Sequence, residues 1–345
     1  MFSFAIIGNR LHPQFQTISV CRGHRPRADC NSLSCFVRWQ MTAHGIAKPV
    51  LLILGARGFL GRFAAAAAES SFRVIRADRD ISDPATDIRI DITDPASVSA
   101  GFLSVMPSAV LLLAAISDID RCERDPAVAQ RVNLEGAVHV ANACATHGAR
   151  LLFTSTGAVF DGTQPEYREA DPPTPLSVYG CTKADAEAAI CSALPAGIVV
   201  RVSLVLGRSG QAGTNSLVDG LIRRWQAQDV VSASTTEARN PIDAPTLAAW
   251  FVELLQNRDA SGIFHAGSTG MMTRLEIAQA LAQGLGFPES LVRAETTPPP
   301  GRAPRGARQF LIPERIAQFC RTPAPTCDEV LKRSLNEPAQ GNPRA

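Results

Sequence analysis

Tyrosine and lysine are scarce in this sequence. It holds two tyrosines beside 15 phenylalanines, and three lysines within 34 basic residues. A position that uses either is therefore informative. No run of 18 apolar residues occurs, so no membrane-spanning helix is expected. Nine cysteines run from Cys21 to Cys327 without a C-x-x-C pair, which argues against a zinc ribbon or a redox dithiol. Scattered thiols in odd number fit a reducing compartment, and the expected localisation is cytoplasmic. The six histidines, His139 and His147 among them, show no paired ligand spacing, so no metal is expected. His265 follows Phe264 on an expected strand and reads as a core or pocket-wall residue. Neither G-x-S-x-G nor a Walker loop appears. A net charge of +2 supplies no field that would draw in nucleic acid or an anionic membrane.

What is present suits a folded α/β protein. Hydrophobic content is 46% and charged content 19%, and 345 residues suffice for a large core plus a smaller lobe. Residues 1–47 stand apart. They carry five arginines (Arg10, Arg22, Arg25, Arg27, Arg38) against Asp29 and no sustained periodicity. They read as a disordered or artefactual extension, with Met41 as the natural start. Residues 48–207 plus 241–267 read as a doubly wound, Rossmann-type parallel sheet, 208–240 plus 268–332 as a smaller α/β lobe, and 333–345 as a tail. Strands are expected at Val50–Leu54, Phe72–Ala77, Asp87–Ile92, Ala109–Ala115, Ala149–Thr154, Ile198–Leu206 and Gly262–Ala266. Helices are expected at Phe59–Glu69, from Pro126 to about His147 with Gly148 as the stop, at Ser177–Ala193 and at Thr273–Leu285. Residues 295–306, rich in Pro, Gly and Arg, must be loop.

Gly55-Ala56-Arg57-Gly58-Phe59-Leu60-Gly61 closes the first strand and opens the first helix. Glycines let the backbone approach a pyrophosphate, and the helix start offers it free N–H groups. Asp78 ends the second strand 23 residues after Gly55, where a carboxylate can bond the adenosine ribose and repel a 2′-phosphate. That favours NAD within an NAD(P)(H) site. Arg57, Arg76 and Arg79 lie close by and could instead hold a 2′-phosphate. Asp91 and Ile92 would flank the adenine, and Asp91 could equally cap a helix with Thr93 and Asp94.

Tyr179 and Lys183 stand one helical turn apart, on one face. A free phenol is too weak an acid for catalysis near neutrality, and an adjacent ammonium should lower its pKa. The pair can then act as a general acid–base. Thr156 ends the fifth strand, where its hydroxyl could bond a substrate carbonyl. Ser155 reads instead as a hydroxyl capping the following turn.

The glycine turn, the Leu113-Ala114-Ala115 strand end, Thr156 and Tyr179-x-x-x-Lys183 resemble the extended short-chain dehydrogenase/reductase family. Several stretches are similar to its dTDP-4-dehydrorhamnose reductase branch: 113–118 (LAAISD), 155–162 (STGAVFDG), 175–180 (PLSVYG) and 303–305 (APR). The resemblance covers about residues 50 to 330. It implies an NAD(P)-dependent reductase acting on the keto group of a nucleotide-activated deoxy-sugar. Thr156 would hold the carbonyl, Tyr179 would donate the proton, and Lys183 would tune Tyr179 and bind the nicotinamide ribose. Leu113, Ala114, Ala115, Asn133 and Val202–Leu204 would lie along the cofactor, and Ser117 would reach the substrate. Arg208, Asn215, Arg302 and Arg305 are candidates for the sugar nucleotide's diphosphate, Asn215 doubling as a candidate helix cap. A homodimer is left open. The branch pattern S-T-D-Y-V-F-D-G is departed from at Gly157 and Ala158, which stand where it has Asp and Tyr. An epimerase or dehydratase, or a non-catalytic NAD(P)-binding regulatory subunit like that of methionine adenosyltransferase, is the alternative.

Overall fold

Continuous aliphatic segments are stable only where both faces are covered, and here they supply the middle of a seven-stranded parallel sheet. The computed structural model describes residues 48–81, 86–209 and 215–336. The chain begins with β1 (Val50–Leu54), α1 (Phe59–Ala68), β2 (Arg73–Asp78), β3 (Ile88–Arg89), α2 (Pro95–Val105), β4 (Ala109–Leu112) and α3 (Ile119–Arg124). The next helix, α4, is α-helical over Pro126–Ala129, π-helical over Gln130–Glu135 and α-helical again over Gly136–His147. Then come β5 (Arg150–Thr156), α5 (Val178–Ala193), β6 (Ile198–Val202), β7 (Val205–Leu206), α6 (Leu217–Gln226), β8 (Val231–Ser234), β9 (Ala238–Arg239), β10 (Ile242–Asp243), α7 (Ala244–Gln256) and β11 (Gly262–Ala266). The last are β12 (Met272–Thr273), α8 (Arg274–Gly284), β13 (Val292–Glu295), β14 (Arg308–Gln309), α9 (Glu314–Phe319) and α10 (Cys327–Asn336).

The sheet order is β11-β6-β5-β4-β1-β2-β3. The chain winds one way from β1 to β3 and the other way from β4 onward. The strand order thus reverses between β1 and β4, where a ligand crevice opens at the carboxyl ends. One face of the sheet packs Leu51 and Ile53 against Ala64, Ala65, Leu247 and Phe251 of α1 and α7. The other packs Leu52, Leu54 and Phe153 against Phe102, Val140, Ala186 and Ile190 of α2, α4 and α5. The alanine run of α1 permits the close approach of α7. A third apolar cluster, around Trp225, Leu281 and Val330, joins α6, α8 and α10 beside the two-stranded β8–β13 sheet.

Some boundaries differ from the sequence reading, each for a local reason. The strand expected to reach Ala115 stops at Leu112, because Leu113 N and Ala114 N both turn to bond Leu54 O. The third strand shrinks to two residues, since Asp91 folds back onto Thr93. The strand over 198–206 is two: β6 pairs with β11, while β7 pairs with β10. Residues 333–336, read as tail, continue α10, and Ser334 is fully buried. Residues 1–47, with Met41, lie outside the described residues. No described helix is long and apolar enough to cross a membrane.

Candidate active site

The crevice is a cleft of about 1100 Å³ along the carboxyl edge of the sheet. Its three glycines do different things. Gly55 has φ +87°, and a β-carbon there would sit 2.6 Å from Ala114 N. A β-carbon on Gly61 would meet Ala56 O at 2.5 Å. The fold itself demands both. Gly58, the N-cap of α1, would meet only Gly55 O at 3.3 Å, with its remaining space facing the cleft. A side chain there would fill the room a pyrophosphate needs beside the free N–H groups of α1. We expect Gly58→Val to leave the melting temperature almost unchanged and to weaken dinucleotide binding at least about tenfold, a loss of about 1.4 kcal/mol. Calorimetric titration beside thermal unfolding checks both halves.

Asp78 sits at the end of β2 and accepts bonds from Arg79 N (2.8 Å) and Arg57 N (3.4 Å). The Arg57 guanidinium lies 2.8 Å from the Asp80 carboxylate in solvent, so that pair is worth well under about 1 kcal/mol. Arg76 is drawn away to Glu69 (2.5 Å) and Asp87 (3.7 Å) and is not on the cleft wall. Asp91 lines the cleft, but its carboxylate accepts from Thr93 N and Oγ1 at 2.9 and 2.7 Å. Burial acts to raise its pKa, yet the Thr93 bonds with Arg79 and Arg89 outweigh it and hold it low. Asp94 caps α2. Ile92, Leu113, Ala114 and Ala115 also line the cleft.

Thr156, Tyr179 and Lys183 meet at the cleft floor. Ser177 caps α5 by accepting from Gly180 N, and Glu123 accepts from Val178 N, which fixes the helix start. A β-carbon on Gly180 would collide with Ala158 O. This glycine, which the sequence reading did not single out, therefore lets α5 press onto the turn after β5. That contact sets Tyr179 on the cleft wall beside Thr156. Burial pushes Tyr179 up to about 12, against the Thr156 bond that lowers it. The expected lowering by Lys183 is not seen. The ammonium stands 3.9 Å from the Phe153 ring centroid and is itself brought down to about 7 by burial, against the raising effect of Glu187.

The hydroxyl that caps the turn after β5 is Thr156, not Ser155 as expected. Thr156 Oγ1 does the capping, accepting from Ala158 N at 3.1 Å. Ser155 Oγ, on a residue 5% exposed and lining the cleft, has no hydrogen-bond partner, and neither has Ser203 Oγ. Strands alternate their faces, and nothing after Ser155 offers it an amide. Asn133 is 2% exposed and absent from the cleft wall. Its amide group is consumed by both backbone groups of Ile116 (2.8 and 3.1 Å) from within the π-turn of α4, so it braces the wall from behind.

On the opposite side, Asn215 Nδ2 donates to Ser117 Oγ at 3.0 Å across the cleft. The cap of α6 is Ser216, which frees Asn215 from that role. Arg305 forks onto Asp120 (2.8 and 3.3 Å), and Arg302 bridges Glu237 and Glu295, both at 2.9 Å. Arg208 is not on the wall. Arg239 and Arg274 are, and sequence reasoning missed both. Burial brings Arg239 down to about 10 and lowers Arg274, in each case against Glu237. Neither forms an ion pair among the described residues, so this wall carries cationic charge in excess of its carboxylates.

The residues present fit a dinucleotide. A turn kept open at Gly58, a carboxylate at Asp78 at the end of β2 and two orphaned hydroxyls at Ser155 and Ser203 line one continuous cleft. A family profile described as the RmlD substrate binding domain matches residues 49–339. A dTDP-4-dehydrorhamnose reductase of Streptomyces griseus is 34% identical over 256 residues, 72% of this chain and 81% of its own. A methionine adenosyltransferase 2 subunit beta of Xenopus laevis is 29% identical over 259 residues, 74% and 77% of the two chains. A solved dTDP-4-dehydrorhamnose reductase from Bacillus anthracis in complex with NADP has a TM-score of 0.75 at 24% identity, covering 83% of this chain and 98% of that one, a likeness of fold. With a sheet and cleft of this kind and a match over most of its length, the chain belongs to the RmlD substrate-binding domain family of extended short-chain dehydrogenase/reductases.

Proposed function

We propose that this protein is an NAD(P)-dependent reductase of the keto group of a nucleotide-activated deoxy-sugar, as the Streptomyces griseus relative is named. The observation that carries the reading is that Thr156, Tyr179 and Lys183 line one cleft together, with Lys183 one helical turn after Tyr179. A bound nicotinamide would supply a hydride to the carbonyl carbon. Tyr179 would give its proton to the carbonyl oxygen, which takes the C=O π pair, so that the product is an alcohol. Thr156 orients that oxygen by hydrogen bonding. The Lys183 ammonium offsets the negative charge left on the phenolate. Gly55–Gly61, Asp78, Ile92, Leu113–Ala115, Lys183 and Val202–Leu204 would hold the cofactor. The Asp78 carboxylate favours NADH over NADPH. Residues 208–240 and 268–332 act as the substrate lobe, where Ser117, Asn215, Arg239, Arg274 and Arg305 meet the sugar nucleotide. Free thiols along the described chain fit a cytoplasmic location.

A second reading is a regulatory subunit that binds NAD(P) without turnover. It is favoured by Gly157 and Ala158 and by the similarity to the methionine adenosyltransferase subunit. Oxidation of NADH and NADPH against a panel of dTDP- and UDP-linked keto-sugars separates the two. We expect turnover with a dTDP-linked ketone. Arg274→Ala should raise KM about 10- to 100-fold with kcat little changed, because a diphosphate contact is made equally in ground and transition states. Tight cofactor binding with no turnover across the panel would decide for the regulatory reading.

A further inference from the structure

Beneath Lys183 lies a chain of buried polar groups that the proposed reaction does not use. Tyr179, Lys183 and Glu187 succeed one another at one-turn intervals on α5, and the last two are 2% and 3% exposed. Arg201 enters from β6 at 1% exposure, its register partner on β5 being Ser155. It clamps Glu187 through Nε to both carboxylate oxygens (3.1 Å each) and Nη2 to Oε2 (2.8 Å). Its Nη1 donates to Glu169 O (3.5 Å) and His265 Nε2 (3.4 Å), and the guanidinium lies over the Phe160 ring at 4.9 Å. His265 Nδ1 donates to Tyr167 O (3.2 Å), so the imidazole is held neutral by both of its bonds.

A buried ion pair is seldom retained for stability, since apolar residues of similar volume serve as well or better. This pair has another use. The titratable groups linked to this chain are Tyr179, Glu187 and Cys191 on α5, Cys122 on α3 beside Tyr179, Cys144 on α4 in the apolar cluster of Phe153, Arg201 on β6, and His265 on β11 bonded to Arg201. Burial pushes the phenol and all three thiols up, and burial with Arg201 pushes His265 down to about 3. The ion pair in this set is that of Glu187 with Arg201. Glu187 stands one helical turn from Lys183 on the same face of α5 and raises its pKa against burial. Its rotamer is fixed by three bonds from Arg201, so its charge cannot swing away.

We propose that Glu187, clamped by Arg201, is a positioning residue for the Tyr179–Lys183 pair and holds Lys183 as an ammonium inside the core. The proposal deepens the reductase reading and rests on the acid–base role given there to Tyr179 and Lys183.

With three lysines in the chain, nitrogen-15 lysine labelling of the full-length protein without cofactor reports Lys183 directly by NMR. The wild-type midpoint should lie near 7. Glu187→Gln should move it down by about one unit or more, and Glu187→Asp should restore part of the shift. The alkaline limb of the kcat profile should move down in parallel, with KM for the sugar nucleotide unchanged. If Glu187→Gln does not fold, Glu187→Met with Arg201→Met removes both charges without leaving one unpaired, and the same downward shift is expected. A folded variant of either kind whose Lys183 midpoint is unmoved or raised overturns the proposal. A shifted midpoint together with full activity of Tyr179→Phe would support it while removing the catalytic reading, so the two fail separately.

Discussion

Tyr179→Phe should lower kcat by about 10²- to 10⁴-fold, the usual worth of a positioned general acid. The substitution deletes the hydroxyl bonded to Thr156 and keeps the ring that fills the cleft floor. Because burial pushes the phenol up to about 12, it stays protonated at every working pH and is ready as a donor. The neighbouring Thr156 hydroxyl acts the other way and lowers that value. Phenylalanine leaves Thr156 and Lys183 without a proton to pass on. Dinucleotide affinity should be almost untouched, since the glycine turn and Asp78 are left as they are. Stability should fall by no more than about 1 kcal/mol, the net worth of one neutral hydrogen bond. Steady-state NAD(P)H oxidation beside cofactor titration makes the test. Wild-type turnover from this variant would mean that the proton comes from elsewhere.

Much of this cleft is legible in the amino-acid sequence. Continuous aliphatic strands, and helices opened by Ser or Pro, leave strong local signals, and β1, β4, β5 and β6 are of the first kind. The scarcity of tyrosine and lysine makes the pair on α5 stand out. The cationic wall is not legible. Arg239 and Arg274 converge because Met272 and Thr273 pair antiparallel with Arg239 and Ala238. Strands of two residues have no periodicity to read, so only the folded chain joins them. That Thr156, and not Ser155, caps the turn has a different cause. Which of two adjacent hydroxyls finds an amide depends on the pleat and on the turn after β5, not on residue type. Asn133 does lie near the site, as the sequence implies, but its π-turn aims the amide at Ile116 instead of the cleft. The direction of the Tyr179 shift escapes sequence reasoning because spacing on a helix says nothing about how dry the site is.

Lys183→Met should make the protein more stable and abolish its turnover. The wild-type ammonium is buried against Phe153, and its pKa falls from 10.5 in the unfolded chain to about 7. For a base with a depressed pKa, the unfolded state binds more protons than the native state between those two values. Wild-type stability should therefore rise with pH from about 7 toward 10.5, and the full penalty for burying the charge is felt below 7. The displacement corresponds to at most about 5 kcal/mol, and loss of the contact with Phe153 takes back about 1 kcal/mol. Methionine matches the length of the lysine stem and needs no counter-charge, while Glu187 keeps its partner Arg201. Urea unfolding at pH 6 should show the variant more stable by a few kcal/mol, and the gap should close as the pH approaches 10. Parallel pH dependences of the two proteins, or a less stable variant at pH 6, would show that Lys183 is not held at a cost. If the gap closes as expected, the site has kept at a loss of stability the one charge its chemistry requires.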